Sequence, residues 1–129
     1  MKEYQKFYQM DLWKDSFELQ KEVFEITKGF PRSEEYSLTS QLNRSTNSVL
    51  ANLAEAHGRY SYLDKIRVLY IARGEIEETQ SHLIVAESRK YISRQQEVEF
   101  VEKYEKVKMK INKYINFLFQ KNRNSKQQE

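Results

Sequence analysis

The sequence predicts an all-α protein, and more narrowly an antiparallel, up-down-up-down four-helix bundle. Gly occurs 3 times and Pro once in 129 residues, too rarely for the many turns of a sandwich or a barrel. Charged residues make up 32%, and Lys, Glu, Gln, Arg, Leu and Ile are frequent, which is typical of long helices. Four segments with helical apolar spacing are joined by short connections, so neighbouring helices must alternate in direction.

The first two predicted helices are delimited by capping residues and by the only proline. Asp11 is the candidate N-cap of the first helix. Gly29 and Pro31 end it, because glycine accepts the left-handed conformation after a helix and proline cannot continue one. Ser33 caps the second helix, which we expect to span residues 34–57 and to stop at the next glycine.

The third predicted helix begins at Ser61, where Asp64 completes a capping box, and it extends to about Lys90. Gly74 in its middle costs roughly 1 kcal/mol relative to alanine, so we expect another backbone to approach closely there. The apolar residues assigned to its inner side are Leu63, Ile66, Tyr70, Ile76, Leu83 and Ile84.

The fourth predicted helix opens with a second capping box, Ser93 with Gln96. Its buried stripe consists of Phe100, Tyr104, Val107, Ile111, Ile115 and Leu118. The whole chain, 1–129, is expected to form one domain, with residues 1–10 as an irregular arm and residues 121–129 as a frayed, polar tail.

Composition and patterning exclude several classes of protein. The chain has no cysteine, which removes disulfides, thiolate metal sites and cysteine nucleophiles. No segment approaches the ~20 apolar residues of a membrane span, and the start lacks the apolar run of a signal peptide. We therefore expect a soluble, cytoplasmic protein.

No catalytic, cofactor or metal site is predicted. His57 and His82 are the only histidines, and neither has a carboxylate three residues earlier, as di-iron bundles require. Ser45 and Ser48 have no nearby base or nucleophile-elbow glycines. Glycine-rich nucleotide loops are absent. The expectation is a protein that is not an enzyme and holds no cofactor.

Polar residues recur on the second and third helices beside the positions expected to pack. A buried arginine without a partner would cost several kcal/mol, so Arg–Glu pairing is required if these side chains lie inside. We interpret them as a structural cluster that fixes helix register and subunit contacts, with a ligand-binding site as the alternative. The residues are Gln41, Arg44, Asn52, Glu55, Arg73 and Glu78.

Positive charge is unevenly distributed along the chain. The net charge is +3, yet residues 103–129 alone carry +6, so the remainder carries −3. A basic segment indicates an anionic partner such as nucleic acid, whereas the alternative is a solvated lysine face. The candidate nucleic-acid-binding residues are Arg59, Lys65, Arg67, Lys106, Lys110, Lys113, Lys121 and Arg123.

Three stretches resemble a known family. They read DLWKDSFEL, GFPRSEEYSLTSQLNRSTNSVLANLAEAHGR and IARGEIEETQSHL, and over residues 7–92 they are similar to the four-helix-bundle proteins encoded in intervening sequences of 23S ribosomal RNA genes. The resemblance implies an antiparallel bundle assembled as a homopentamer. It also extends to the accessory variability proteins of diversity-generating retroelements, which associate with a reverse transcriptase and bind nucleic acid. It implies no enzyme activity.

The family's characteristic polar positions coincide with Gln41, Arg44, Asn52, Glu55, Arg59, Arg73 and Glu78. This chain departs from the family at three places. Leu50 replaces a proline, which removes the basis for a kink in the second helix. Ala56 replaces a glycine, so that helix can continue further, and Glu75 replaces a serine where a close contact would otherwise be expected.

Two functional hypotheses follow. The first is a non-enzymatic oligomeric bundle that binds RNA, DNA or a nucleic-acid enzyme such as a reverse transcriptase through basic surfaces. The second is a structural or protein-interaction module with no nucleic-acid partner. Binding to nucleic acid at low salt distinguishes them, because electrostatic binding weakens steeply as salt rises.

Overall fold

Four helices account for most of the computed structural model, which describes residues 5–127. They are α1 (Asp11–Thr27), α2 (Leu38–Gly58), α3 (Tyr62–Ser88) and α4 (Arg94–Gln127). Short 3-10 turns at Phe7–Gln9 and Arg32–Glu34 precede α1 and α2. The described part of the chain contains no strand, and the predictions of an all-α protein and of four helices are confirmed.

Side-chain contacts between neighbouring helices fix the register of each pair. As residue numbers rise along one helix, the numbers of their partners on the next helix fall. The contacts are Trp13–Leu50 and Thr27–Asn43 between α1 and α2, Ser45–Thr79 and His57–Lys65 between α2 and α3, Arg73–Asn112 and Gln80–Val101 between α3 and α4, and Asp15–Lys110 and Glu22–Lys103 between α1 and α4.

These registers define two ends of the molecule. We call one the Glu34 end, because it contains the connections at residues 28–37 and 89–93. We call the other the Tyr60 end. It contains residues 5–10, the connection at residues 59–61 and the last part of α4. Because α4 runs 15 residues beyond Asn112, about 22 Å, and α3 has 11 residues before Arg73, about 16 Å, α4 extends past α3 here.

The core is a single cluster of apolar side chains drawn from all four helices, including fully buried Val23, Leu42, Ile76 and Ile111. The stripe predicted for the fourth helix is confirmed, since all six of its residues are buried. Trp13 lies partly buried against the core and donates its indole N–H to the Leu50 carbonyl oxygen at 3.3 Å.

The inner face predicted for the third helix is only half right. Ile66, Ile76 and Leu83 are buried, but Leu63, Tyr70 and Ile84 are each exposed by 43–49%. The buried face is completed instead by Val68, Leu69, Ala72, Thr79 and Ala86. Apolar residues occupy more than one side of α3, so helical spacing alone does not identify the side that packs.

The predicted start of the second helix is wrong by four residues. Ser33 lies inside the 3-10 turn Arg32–Glu34, and α2 begins at Leu38 after Ser37, which has φ −127° and ψ −107°. The reason is tertiary. Glu34, the first residue of the predicted helix, has a buried side chain that accepts hydrogen bonds from the distant residues Arg89 and Tyr91.

The residue with a left-handed backbone is Lys90 rather than Gly29. Among the described residues no glycine has positive φ, whereas Lys90 has φ 64°. The amides of Lys90 and Tyr91 donate to the carbonyl oxygens of Glu87 and Ala86 at 2.8 and 3.0 Å, which closes the end of α3. The first helix ends at Thr27 with a right-handed C-cap, so it needs no left-handed residue.

Other boundaries match to within a few residues. Ser61 Oγ accepts the amide of Asp64 at 3.0 Å, as predicted. The second box is reciprocal, since the amide of Gln96 donates to Ser93 Oγ at 3.0 Å and the amide of Ser93 donates to Gln96 Oε1 at 2.9 Å. Asp11 is the first residue of α1, and Met10 takes the N-cap position.

Parts of both terminal segments are helical within the described residues. Within the expected arm, Phe7–Gln9 form a 3-10 turn and Met10 is buried, while residues 1–4 lie outside the described residues. Within the expected frayed tail, α4 continues to Gln127, and residues 128–129 also lie outside them. The close approach expected at Gly74 is absent, since an added Cβ there would meet no described atom within 4 Å.

Among residues 5–127, no helix combines the length and the apolar character that a membrane span requires.

Candidate nucleic-acid interface

The polar residues of α2 and α3 form a small cluster around Arg44. Its guanidinium pairs with the Glu78 carboxylate and lies 3.5 Å from that of Glu75. His82 Nε2 is 3.3 Å from the same Glu78 oxygen that Arg44 contacts. The cluster crosses from one helix to the other on a half-exposed surface, because 53% of the Arg44 side chain remains accessible.

The two carboxylates of this cluster have different surroundings, and their pKa values are shifted in opposite directions. Hydrogen bonding from Arg44 lowers the pKa of Glu78, and the same bond raises the pKa of Arg44. Burial, together with the neighbouring Glu78 charge, raises the pKa of Glu75. Next to Arg44 and Glu78 in the sequence, Ser45 and Thr79 are fully buried, and their hydroxyls are 2.8 Å apart. The cluster therefore locks the α2–α3 register.

The remaining residues assigned to that cluster lie elsewhere, which corrects the expectation of one shared site. Asn52 donates to the Ser48 carbonyl oxygen one turn away at 2.9 Å, and Glu55 pairs with Arg59 on its own helix. Arg73 instead reaches α4, donating to Asn112 Oδ1 at 2.7 Å. The Gln41 side chain is exposed and makes no hydrogen bond to a described residue.

Three of the candidate basic residues are engaged close to the connection between α2 and α3. Lys65 donates to the His57 and Ala56 carbonyl oxygens at 2.6 and 3.4 Å, so it caps the end of α2, and burial lowers the pKa of Lys65. Arg59 pairs with Glu55, and Arg67 pairs with Asp64 at 3.1 Å. The Arg59 and Arg67 pairs are exposed, and each joins residues of one chain segment. Such pairs contribute little to stability and can rearrange.

The candidate nucleic-acid-binding residues on α4 differ in the contacts that they make within the protomer. Lys110 pairs with Asp15 of α1, Arg123 donates to Gln120 at 2.7 Å, and Lys121 lies 5.6 Å from the centre of the Phe117 ring. Lys106 and Lys113 form no ion pair with any residue in the described range. Lys113 therefore presents an uncompensated charge.

A groove of about 310 Å³ separates α1 from α4. Carboxylates of α1 face lysines of α4 across it, and Lys103 lies 3.8 Å from Glu22. With three acids and three lysines, the groove has no net charge to attract an anion, which argues against it as the interface. Its lining residues are Asp15, Glu18, Leu19, Glu22, Lys103, Lys106, Val107 and Lys110.

Folding brings the two basic stretches of the sequence to one end. Counted over residues 5–126, the half of the bundle toward the Tyr60 end (residues 5–17, 49–72 and 110–126) has ten basic and four acidic side chains. The other half (residues 18–48 and 73–109) has eleven basic and thirteen acidic side chains. The net charges are thus +6 and −2, a far stronger asymmetry than the overall +3 suggests.

Glu34 is a buried polar residue that the sequence pattern did not single out as a candidate. Arg89 Nη1 and the Tyr91 hydroxyl donate to its carboxylate at 2.7 and 2.8 Å. These hydrogen bonds, the one from Tyr91 first, lower the pKa of Glu34. Its partners lie 55 and 57 residues away, so no local pattern could have identified them.

Chemistry that would require a metal is not supported by side-chain placement in the described range. No group of three or more His, Asp or Glu residues there is arranged to hold a metal ion. Glu78 is near both Glu75 and His82, but the Arg44 guanidinium pairs with the two carboxylates.

These features define a small all-α protein of four helices whose polar groups pair across helices and whose positive charge is gathered at one end. The chain belongs to the 23S rRNA-intervening sequence protein family, whose model matches residues 8–113. It is also similar to a solved structure from Bacteroides thetaiotaomicron, described as a protein with unknown function from the S23 ribosomal protein family. That similarity has 26% identity and a TM-score of 0.74, and covers 81% of this chain and 97% of the other. The comparison with curated proteins found no match.

Proposed function

We propose that this protein is a non-enzymatic, antiparallel up-down-up-down bundle that assembles as a homopentamer and binds nucleic acid through its Tyr60 end. The supporting observation is the net charge of +6 in that half of the bundle against −2 in the other. A concentrated positive surface attracts the phosphate backbone without reading sequence. No recognition-helix motif is present, so we propose binding without base-sequence specificity.

Oligomerisation would strengthen such binding. In a homopentamer each basic end is repeated five times around one axis, and weak contacts combine through effective concentration. A further expectation from the family resemblance is association with a nucleic-acid enzyme such as a reverse transcriptase, for which bound nucleic acid would be the shared ligand.

The exposed face of α3 supports self-association. Leu63, Tyr70 and Ile84 are each about half exposed and recur at multiples of seven residues, a spacing that keeps them on one side of a helix. Gly74 lies exposed between them with open space above its Cα, so another helix could approach closely there. Light scattering of the purified protein tests the proposal, and a monomeric mass at micromolar concentration would contradict it.

The binding proposal is tested by titrating the protein with structured RNA and with duplex DNA at about 50 and 200 mM salt. Affinity that depends on phosphate contacts should fall steeply between these two concentrations. The test variant combines Lys113→Glu and Arg123→Glu at the Tyr60 end. Its matched control combines Lys28→Glu and Arg32→Glu at the Glu34 end, which changes the net charge equally. We expect at least tenfold weaker binding for the first variant and little change for the second. Absence of binding by the folded wild-type protein at low salt would refute the proposal.

A second candidate function is a protein-interaction module without a nucleic-acid partner. The pairing of Arg59, Arg67 and Lys110 with acidic side chains favours it, because these charges are partly neutralised within the protomer. Capture of specific proteins that survives nuclease treatment, together with no nucleic-acid binding at low salt, would select this alternative.

A further inference from the structure

Three tyrosines lie in the basic stretch around the start of α3, and packing accounts for only some of them. Tyr62 packs against the core. Tyr70 is 43% exposed and has the Arg73 guanidinium 4.9 Å from the centre of its ring. Tyr60 has a relative exposure of 101% and makes no ring contact within the described part of the chain. The bundle therefore gains nothing from the Tyr60 ring that a smaller residue could not supply.

A second exposed tyrosine at this end is held on a rigid support. Tyr8, 53% exposed, is the outer member of a row of aromatic rings. Its ring centre lies 5.3 Å from that of Phe7, which lies 5.4 Å from Trp13, which in turn stacks on Phe17 at 5.0 Å. Since Trp13 also donates to the Leu50 carbonyl oxygen, the row is anchored to the bundle while Tyr8 keeps a free face.

Each tyrosine is three residues from one side of the same tertiary contact, and both lie at the basic end of the bundle. His57 Nε2 donates to the Gln5 carbonyl oxygen at 2.6 Å. Tyr60 follows His57 by three residues, and Tyr8 follows Gln5 by three. Extending the Arg73–Asn112 register along α3 and α4 brings the start of α3 level with residue 123, so the basic residues 121–126 lie at the same end.

From this arrangement we infer that the Tyr60 end binds single-stranded nucleic acid, with unpaired bases stacked on Tyr60 and Tyr8 and phosphates held by the surrounding cations. The inference rests on the proposed function and narrows its ligand. In a duplex the base faces are already stacked on each other, so an exposed aromatic ring adds affinity only for unpaired bases. Base–aromatic stacking contributes strongly and tolerates any base, whereas cations alone bind both forms.

Charge, rather than exposure alone, distinguishes Tyr60 from other exposed tyrosines. Tyr36 is 92% exposed, but it lies in the connection before α2 at the Glu34 end, where the net charge of the half-bundle is −2. An isolated exposed aromatic residue is ordinary on a protein surface. Tyr36 is therefore a matched control with the same side chain and the opposite electrostatic setting.

The experiment measures binding of the full chain to fluorescein-labelled 20-nucleotide oligo-U and oligo-dT and to a 20-base-pair duplex at about 50 mM salt. The variants are Tyr60→Ala, Tyr8→Ala, Tyr60→Phe and the control Tyr36→Ala. We expect each Ala variant at the Tyr60 end to bind single strands roughly tenfold more weakly and the duplex unchanged. Tyr60→Phe should bind as wild type, because stacking needs the ring and not the hydroxyl. Comparing the affinities for oligo-U and oligo-dT shows whether the protein prefers single-stranded RNA or single-stranded DNA.

Trp13, the only tryptophan, provides a second readout, since a base stacked on Tyr8 extends its aromatic row and should change its emission in wild type but not in Tyr8→Ala. If single strands and duplex bind equally and Tyr60→Ala matches Tyr36→Ala, the stacking inference is overturned while charge-driven binding stands. If the folded wild-type protein binds none of the three probes, both proposals are overturned.

Discussion

The two ends of the bundle contrast in what their polar residues do. At the Glu34 end one buried carboxylate receives hydrogen bonds from Arg89 and Tyr91, so the connection between α1 and α2 is tied to the connection between α3 and α4. At the Tyr60 end two tertiary hydrogen bonds go to backbone carbonyl oxygens, from Lys65 to His57 and from His57 to Gln5. Cations there outnumber anions, and aromatic rings remain free.

The difference separates stability from interaction. A carboxylate whose hydrogen bonds are satisfied inside the fold stabilises it and offers nothing to a ligand. Cations without acidic partners destabilise the fold, because they repel one another. They also attract a negatively charged ligand, which would neutralise that repulsion. Substitutions at the Glu34 end should therefore change unfolding, and most substitutions at the Tyr60 end should change binding.

Glu34→Ala should be the most destabilising of these variants, lowering Tm by several degrees, because it leaves Arg89 and the Tyr91 hydroxyl without their shared acceptor. Glu35→Ala is the matched control. The Glu35 side chain is exposed, so its removal should change Tm little. Thermal unfolding followed by circular dichroism at fixed protein concentration measures both. Equal Tm values for the two variants would refute a stabilising role for Glu34.

Acid should weaken the Glu34 end in a specific pH window. Because folding lowers the pKa of Glu34, its contribution is complete above the unfolded-state pKa of roughly 4.3 and is lost as pH falls through the lower, folded-state pKa. Glu34→Gln should therefore flatten part of the loss of stability that occurs as the pH falls below roughly 4.3, as measured by urea unfolding. The rest of the acid-induced loss of stability should persist in this variant. It comes from other carboxylates whose pKa values folding also lowers, namely Asp64, Glu78 and Glu105. A wild-type pH profile in Glu34→Gln would contradict the prediction.

Lys65→Met should identify the cation at the Tyr60 end whose role is structural. It removes the donor to the His57 and Ala56 carbonyl oxygens and should lower the free energy of unfolding by about 1 kcal/mol. Lys113→Met, which removes an exposed and unpaired charge, should change it by less than about 0.5 kcal/mol. Urea unfolding compares them, and a larger loss for Lys113→Met would show that the assignment is reversed.

Lys90→Gly should stabilise the protein by up to about 1 kcal/mol, because glycine adopts positive φ without the steric cost that a side chain imposes. Lys90→Ala keeps that cost and removes the charge, so it should show no comparable gain. Urea unfolding of the two variants at equal protein concentration provides the test. Destabilisation by Lys90→Gly would mean that the lysine side chain contributes more than its backbone conformation costs.

Much of the fold could be predicted from the sequence because it depends on local patterns. The stripe of α4 and the caps at Ser61 and Ser93 follow from residues within one or two helical turns. The start of α2 could not be predicted in the same way, since an acidic residue three positions after a proline is equally compatible with a first helical turn. Only the arrival of Arg89 and Tyr91 from the distant connection decides that Glu34 lies before the helix.

The candidate site was predictable as a list of residue types but not as an arrangement. The sequence alone determined that four amphipathic helices would pack, that Arg44 would require a carboxylate if it were buried, and that residues 103–129 were basic. Tertiary structure alone decided that Glu78 supplies that carboxylate, that Lys65 is consumed in capping α2, and that the free ring of Tyr60 lies at the basic end. The physical reason is range: helix formation and capping act over a few residues, whereas charge pairing and exposure depend on which distant segments the core brings together.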